Sequence, residues 1–320
     1  MARREARTMV NMEQELNIRN TNSYHGSGYT DGNGGNYAHN GFGNDPKYWA
    51  SDRGIPLSKA EYEAQQGKKL PALFGVEWET VSNIPSQFAL NALMSQAFKL
   101  FPDGFWKMES DCSLGGRGAN TEAITSTFTK AWMRNNYRFF KAFYEYTKAC
   151  GIAPDNSCGM HVNVSLVNFG KDLDTQAKNI AKIHNWIMNN WSIACKLFHR
   201  DERHTTYCSR MSNFTADDVK AGHGSHAVAM NYSHLYENKL TARRVEFRLV
   251  GPQESYPAFR NTMEVLFHLI EQSKKLSARD FEDPCKLWRG GNFHVRDRVR
   301  DVLPADVVAR IEWNAEERFI

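Results

Sequence analysis

The chain has 320 residues, 41% hydrophobic and 24% charged, with a formal net charge of +4 and a sequence pI near 8.6. This allows a substantial core in one large domain or two, and the charge is too mild to demand nucleic acid, although Arg3, Arg4 and Arg7 form a basic patch. No run reaches the roughly 18 apolar residues of a membrane span, no apolar signal core follows the first arginines, and six cysteines without C-x-x-C spacing argue against a zinc cluster or disulfide framework. The expected location is a reducing cytoplasm, that of the host were the chain viral.

In chain order, residues 1–68 read as a flexible extension, because Asn20 to Asp45 is Gly- and Asn-rich with almost nothing aliphatic to bury. It could settle on the domain through Tyr48 and Trp49. Phe74 to Thr80 predicts a strand, and Ser86 to Leu100 a helix with Leu90, Leu93 and Ala97 on one side. Residues 105–128 predict two extended pieces joined by the turn Gly115-Gly116-Arg117-Gly118. An aromatic helix follows over Lys130 to Cys150, then a strand at His161 and a long helix over Asp174 to Phe198. A Ser-, His- and Gly-rich loop over 199–228 precedes a strand near Val228 to Tyr232, another at Glu246, and a helix from Tyr256 to Leu276. The tail is charged, with Pro304 opening a last short helix. The expected fold is α+β: an antiparallel sheet covered on one face by helices. Residues 69–276 would form the domain and 277–320 an extension packing on it.

Three segments carry the chemistry. Gly75-Val76-Glu77-Trp78-Glu79, His161-Val162-Asn163-Val164-Ser165 and Arg244-Val245-Glu246-Phe247-Arg248 alternate strictly between apolar and metal- or phosphate-seeking residues. Side chains two apart on a strand share a face. One face of such a sheet would gather Glu77, Glu79, His161, Asn163, Ser165, Arg244, Glu246 and Arg248, and the other face Val76, Trp78, Val162, Val164, Val245 and Phe247. Half-solvated strands alternate in the same way, but glutamate is depleted in strands, and the pattern recurs three times. Cys158, three residues before His161, would point away from it and reads as a structural thiol. The histidines at 199, 204, 223, 226 and 234 read as an exposed polar loop or a lid.

These motifs resemble the amidoligase group of carboxylate-amine ligases, related to glutamine synthetase and glutamate-cysteine ligase. The matching pattern is Gly75-x-Glu77-x-Glu79, Asp111-Cys112-Ser113, Glu122, Gly159-Met160-His161-Val162-Asn163-Val164 and Val245-Glu246-Phe247-Arg248, covering residues 72–275. The resemblance implies a curved antiparallel funnel, ATP, and Mg²⁺ or Mn²⁺. It implies that Glu79 and Glu122 hold the ion nearer the acceptor substrate, and that Glu77, His161 and Glu246 hold the ion bridging the β- and γ-phosphates. Arg244 would contact nucleotide phosphates, with Asn163, Ser165 and Asn231 nearby. Arg248 would hold the substrate carboxylate or the transferring phosphoryl group, making Glu79, Glu246 and Arg248 the expected catalytic residues. The implied reaction joins a carboxylate to an amine through an acyl phosphate, with an amino acid, peptide or polyamine-like compound as substrate; the modest charge and the absence of an apolar span argue against a nucleic-acid or membrane partner.

Two positions depart from the family pattern. Asn163 stands where relatives carry a second histidine, and Cys112 replaces the usual glycine after Asp111, with Glu109 an equally placed acidic neighbour. Two other readings of the residues stay open. Paired carboxylates with His and Arg also suit a two-metal phosphoesterase or nuclease, and the scaffold could serve a binding or structural role without catalysis.

Overall fold

The computed structural model describes residues 49–50, 56–57, 72–109, 119–222, 225, 227–236 and 243–314. Within the expected N-terminal extension, β1 (Trp49–Ala50) pairs antiparallel with β2 (Pro56–Leu57). The expected flexibility of that extension otherwise falls outside the described residues, as do Tyr48, Asp111-Cys112-Ser113, the Gly115–Gly118 turn, His223 and His226. The chain mixes helices with open-edged antiparallel strands and divides into two compact units: residues up to Cys158 with Glu254–Tyr256, and Gly159–Gln253 with the residues from Pro257 onward.

In the first unit, β3 (Phe74–Ser82) leads into α1 (Gln87–Phe98), whose first turn is capped by Ser86 accepting from Ala89 N. β4 (Trp106–Glu109) and β5 (Asn120–Thr125) follow, giving the antiparallel order β4-β5-β3. The aromatic segment then forms two helices, α2 (Lys130–Asn135) and α3 (Tyr137–Ala149), and β6 (Ile152–Ala153) pairs with the end of β3. The break falls at Asn136, whose side-chain amide donates to Trp132 O at 2.8 Å and so competes with the helical ladder.

The apolar face of these strands packs as the alternation requires. Trp78 meets Phe143 edge-on at 5.1 Å, and Trp106 stacks on Phe143 at 4.9 Å and on Phe98 at 5.7 Å, so α1 and α3 cover this face. Tyr256 returns to this unit from late in the chain and packs its ring against Tyr137 at 6.3 Å.

In the second unit, β7 (Met160–Ser165) runs into a 3₁₀ turn over Leu166–Asn168 and then α4 (Leu173–Asn189), capped by Asp172 accepting from Thr175 N. The long helix expected to Phe198 is interrupted at Asn190, and α5 (Trp191–Leu197) follows. The loop after it contains one short helix, α6 (Ala216–Lys220), set by a reciprocal capping box between Thr215 and Asp218. β8 (Met230–Asn231) and β9 (Arg244–Phe247) complete the antiparallel order β7-β9-β8. Val162, Val164, Val245, Phe247 and Met230 are all buried.

α7 (Tyr256–Lys275) joins this unit from Pro257 and is tied to α4 by Lys182, whose ammonium donates to Ser273 O at 2.7 Å and Leu276 O at 2.8 Å. The tail forms α8 (Ala278–Glu282), α9 (Pro284–Leu287), α10 (Phe293–Arg300) and α11 (Ala305–Arg310), where the sequence pointed to a single closing helix. It docks through Trp288, which meets Trp186 edge-on and stacks on His268, while His268 Nε2 donates to Leu287 O at 2.7 Å. No helix among the described residues is long and apolar enough to cross a membrane.

Candidate functional site

In the first unit, Glu79 of β3 stands directly opposite Glu122 of β5, and Glu122 directly opposite Glu109 of β4. Opposed residues of an antiparallel pair share a face, so three carboxylates form one row across the strands. All three are buried. Carboxylate oxygens of Glu79 and Glu122 approach within 4.8 Å. The next row along carries Lys107, Ile124 and Glu77, also in register, so Glu77 shares this face. Lys107 Nζ lies 3.5 Å from Glu109 Oε1.

Burial drives this pair toward neutrality. It pushes the Glu109 carboxyl above the usual range, with Lys107 pulling it partly back. It also holds the Lys107 ammonium below its ordinary value against the opposing pull of Glu109, Glu77 and Glu122. Lys107 was missed in the sequence, although the Trp106-Lys107-Met108-Glu109 alternation carries the same period-two signal as the other strands. Asp111, the family-pattern acid, lies outside the described residues, whereas Glu109 lies in line with Glu79 and Glu122.

In the second unit, Asn163, Glu246 and Asn231 stand in one row across β7, β9 and β8. Glu246 is fully buried, and both of its oxygens are engaged: Asn231 Nδ2 donates to Oε2 at 2.8 Å, and Arg248 Nη1 donates to Oε1 at 2.5 Å. His161 Nδ1 lies 3.6 Å from the same Oε1. Burial alone would push the Glu246 carboxyl up, but Arg248, then His161 and the Asn231 amide, hold it well below the usual carboxylate range.

The position after β9 is bulged, since Arg248 N and Leu249 N both donate to Ala229 O, at 2.9 and 3.1 Å. Bulges re-aim side chains, and here the bulge falls at the residue whose guanidinium reaches back to Glu246.

Asn163 has a partner that accounts for its presence: its Oδ1 accepts from Arg244 Nε at 2.8 Å. It thereby fixes a buried guanidinium that an imidazole at this position would meet with different geometry. Ser165 Oγ accepts from Asn168 Nδ2 at 3.1 Å and so takes part in the 3₁₀ turn. Asn231 holds a turn and a carboxylate at once: its Oδ1 accepts from Ser233 N while its amide donates to Glu246. Behind it, Tyr232 hydroxyl donates to His184 Nδ1 at 2.6 Å, and His184 Nε2 donates to Ser212 O at 2.8 Å, a tautomer set by the carbonyl.

Cys158 is buried, lies ahead of β7 rather than in it, and has its thiol pushed up to about 12 by burial. Burial and a raised thiol accord with the structural role expected of it. The expected site residues thus fall into two sets, Glu77, Glu79 and Glu122 on one unit and His161, Asn163, Ser165, Asn231, Arg244, Glu246 and Arg248 on the other, each set on one strand face. No family model matches this sequence, and no curated protein matches it.

Proposed function

We propose that this chain is an ATP-dependent carboxylate-amine ligase of the amidoligase type, using Mg²⁺ or Mn²⁺ and acting on an amino acid, peptide or polyamine-like substrate. The observation that carries the proposal is the buried row Glu79–Glu122–Glu109. Like charges directly opposite one another on adjacent strands repel, and ligation of a divalent cation turns that repulsion into binding. All-oxygen donors suit Mg²⁺ and Mn²⁺.

On this reading Glu77, Glu79 and Glu122 of the first unit and His161 and Glu246 of the second would serve as metal ligands. Arg244 and Arg248 supply fixed positive charge, Arg244 toward nucleotide phosphate and Arg248 toward the substrate carboxylate or the transferring phosphoryl group. The buried Arg248–Glu246 pair keeps that guanidinium in place before anything binds, which is the preorganisation that phosphoryl transfer rewards. A substrate carboxylate would attack the γ-phosphate, releasing ADP and leaving an acyl phosphate, and an amine would then displace phosphate to form the amide. Bound metal ions would screen repulsion between the two anionic reactants.

Calorimetric titration of ATP, with and without Mg²⁺, into the wild-type chain and Glu77→Gln tests the reading. Metal-dependent nucleotide binding that the variant loses supports it and opens a screen of acids and amines for ADP release. Absence of nucleotide binding, with Mn²⁺ binding retained and phosphoester hydrolysis present, would instead establish a two-metal hydrolase.

A further inference from the structure

The segment at the end of α5 makes an unusual set of contacts with the chain that follows β9. α5 closes in a Schellman motif: His199 N donates to Lys196 O at 3.2 Å and Arg200 N to Cys195 O at 2.8 Å. The left-handed residue this motif needs is His199, with φ 56°, where glycine is usual. That turn places the Arg200 side chain along the strand exit. Its Nη2 donates to Val250 O at 2.7 Å and Arg248 O at 3.4 Å, and its Nε to Leu249 O at 3.3 Å.

The two segments are also in close backbone contact. Gly251 N donates to Phe198 O at 2.8 Å, and a Cβ on Gly251 would lie 2.1 Å from His199 O, so glycine is required there. On the far side of the α5 end, Arg298 of α10 donates from Nε to Leu197 O at 2.9 Å and from Nη2 to Lys196 O. The three peptides from Arg248 to Val250 are therefore held by one guanidinium on a turn that is itself clamped.

We propose that Arg200 is a positioning residue for Arg248: by gathering the carbonyls of residues 248–250 it fixes the bulge and so the direction in which the Arg248 guanidinium leaves the strand. A planar fork with five donors is suited to this task, whereas an ammonium can reach the same carbonyls but cannot fix their relative orientation. The functional consequence rests on the role given above to Arg248; the positioning itself does not.

The test uses the full chain uniformly labelled with ¹⁵N. In the wild type, the Arg248 guanidinium, assigned by loss of its signals in Arg248→Lys, gives separate Nη resonances from restricted rotation against Glu246. In Arg200→Ala those resonances merge, while the backbone amides of Val162 and Val245 stay at their wild-type shifts. Arg200→Lys, expected to fold in any case, gives an intermediate signature. Separate Arg248 resonances persisting in both variants would overturn the proposal, as would amide shifts spread throughout β7 and β9, which mark a merely structural role.

A second arm measures MgATP affinity. Arg200→Ala weakens it about tenfold in the wild-type background, the loss expected for one charge-assisted contact, and has no further effect in Arg248→Ala. Equal losses in both backgrounds would overturn the coupling. If the wild type binds no MgATP, the ligase reading fails while the resonance arm still decides the role of Arg200.

Discussion

Glu79 on β3 faces Glu122 on β5 directly across the strand pair, with carboxylate oxygens within 4.8 Å. Like charges directly opposite one another on adjacent strands repel, and a cation bound between them would relieve that repulsion. Glu122→Gln is therefore expected to raise stability by about 0.5 kcal/mol in chelator while lowering Mn²⁺ affinity at least tenfold. Melting curves in EDTA and in Mn²⁺ read both effects. A variant stabilised by Mn²⁺ as strongly as the wild type would remove Glu122 from the ligand set.

Glu246 predicts a mixed outcome. Its carboxylate anchors Arg248 and Asn231 as well as standing in the candidate metal set. Glu246→Gln keeps the shape but takes the charged partner from Arg248, so nucleotide turnover is lost together with about 2 kcal/mol of stability. Chemical denaturation beside an ADP-release assay separates the two. Full turnover in the folded variant would eliminate the assignment.

Acid pH acts through two imidazoles, His184, which is buried, and His199, which is half-buried. Burial, and then the nearby Arg298 charge, pull His199 down from 6.5 to about 4. Burial also lowers His184, against the opposing pull of the Ser212 carbonyl and Asp218. Both groups bind protons less readily when folded than when unfolded. Their contribution is therefore complete above pH 6.5, declines as pH falls through that value, and for His199 levels off below about pH 4. The His199 share is at most about 3 kcal/mol. Asparagine accepts the left-handed conformation and does not titrate, so in His199→Asn the urea midpoint should fall less between pH 7.5 and 5. An unchanged slope would point to other groups.

Thiol chemistry gives a simple check on the core. Cys158 and Cys195 are buried with thiols pushed up to about 12, and Cys208 is buried as well. A disulfide reagent at pH 8 should leave all three unlabelled in the native chain and label them in denaturant. Rapid native labelling at Cys158 would contradict its burial.

The strands that carry chemistry were legible because a two-residue period with glutamate, histidine or arginine on one side is rare by chance; β3, β7 and β9 all follow it. Helix continuity was less legible. Apolar periodicity runs through Asn136 and Asn190 unbroken, and only the local geometry there, with each side-chain amide bonded back to the preceding helix, ends the ladder. α6 was hidden by its length, since five residues held by a capping box leave little periodicity to detect. Glu109 was visible as an acid, but its place in line with Glu122 depends on register, which no single strand reveals. Arg200 was invisible because its partners are backbone carbonyls far along the chain.

The ring pair Tyr137–Tyr256 sets an order of assembly on the ribosome. Every other segment of the first unit has been made by Cys158, but its last contributors, Glu254–Tyr256, are made on the order of ten seconds later at ordinary elongation rates. Until then the nascent unit waits with the Tyr137 face uncovered, a window in which a chaperone, or a neighbouring copy on the same message, can reach it first.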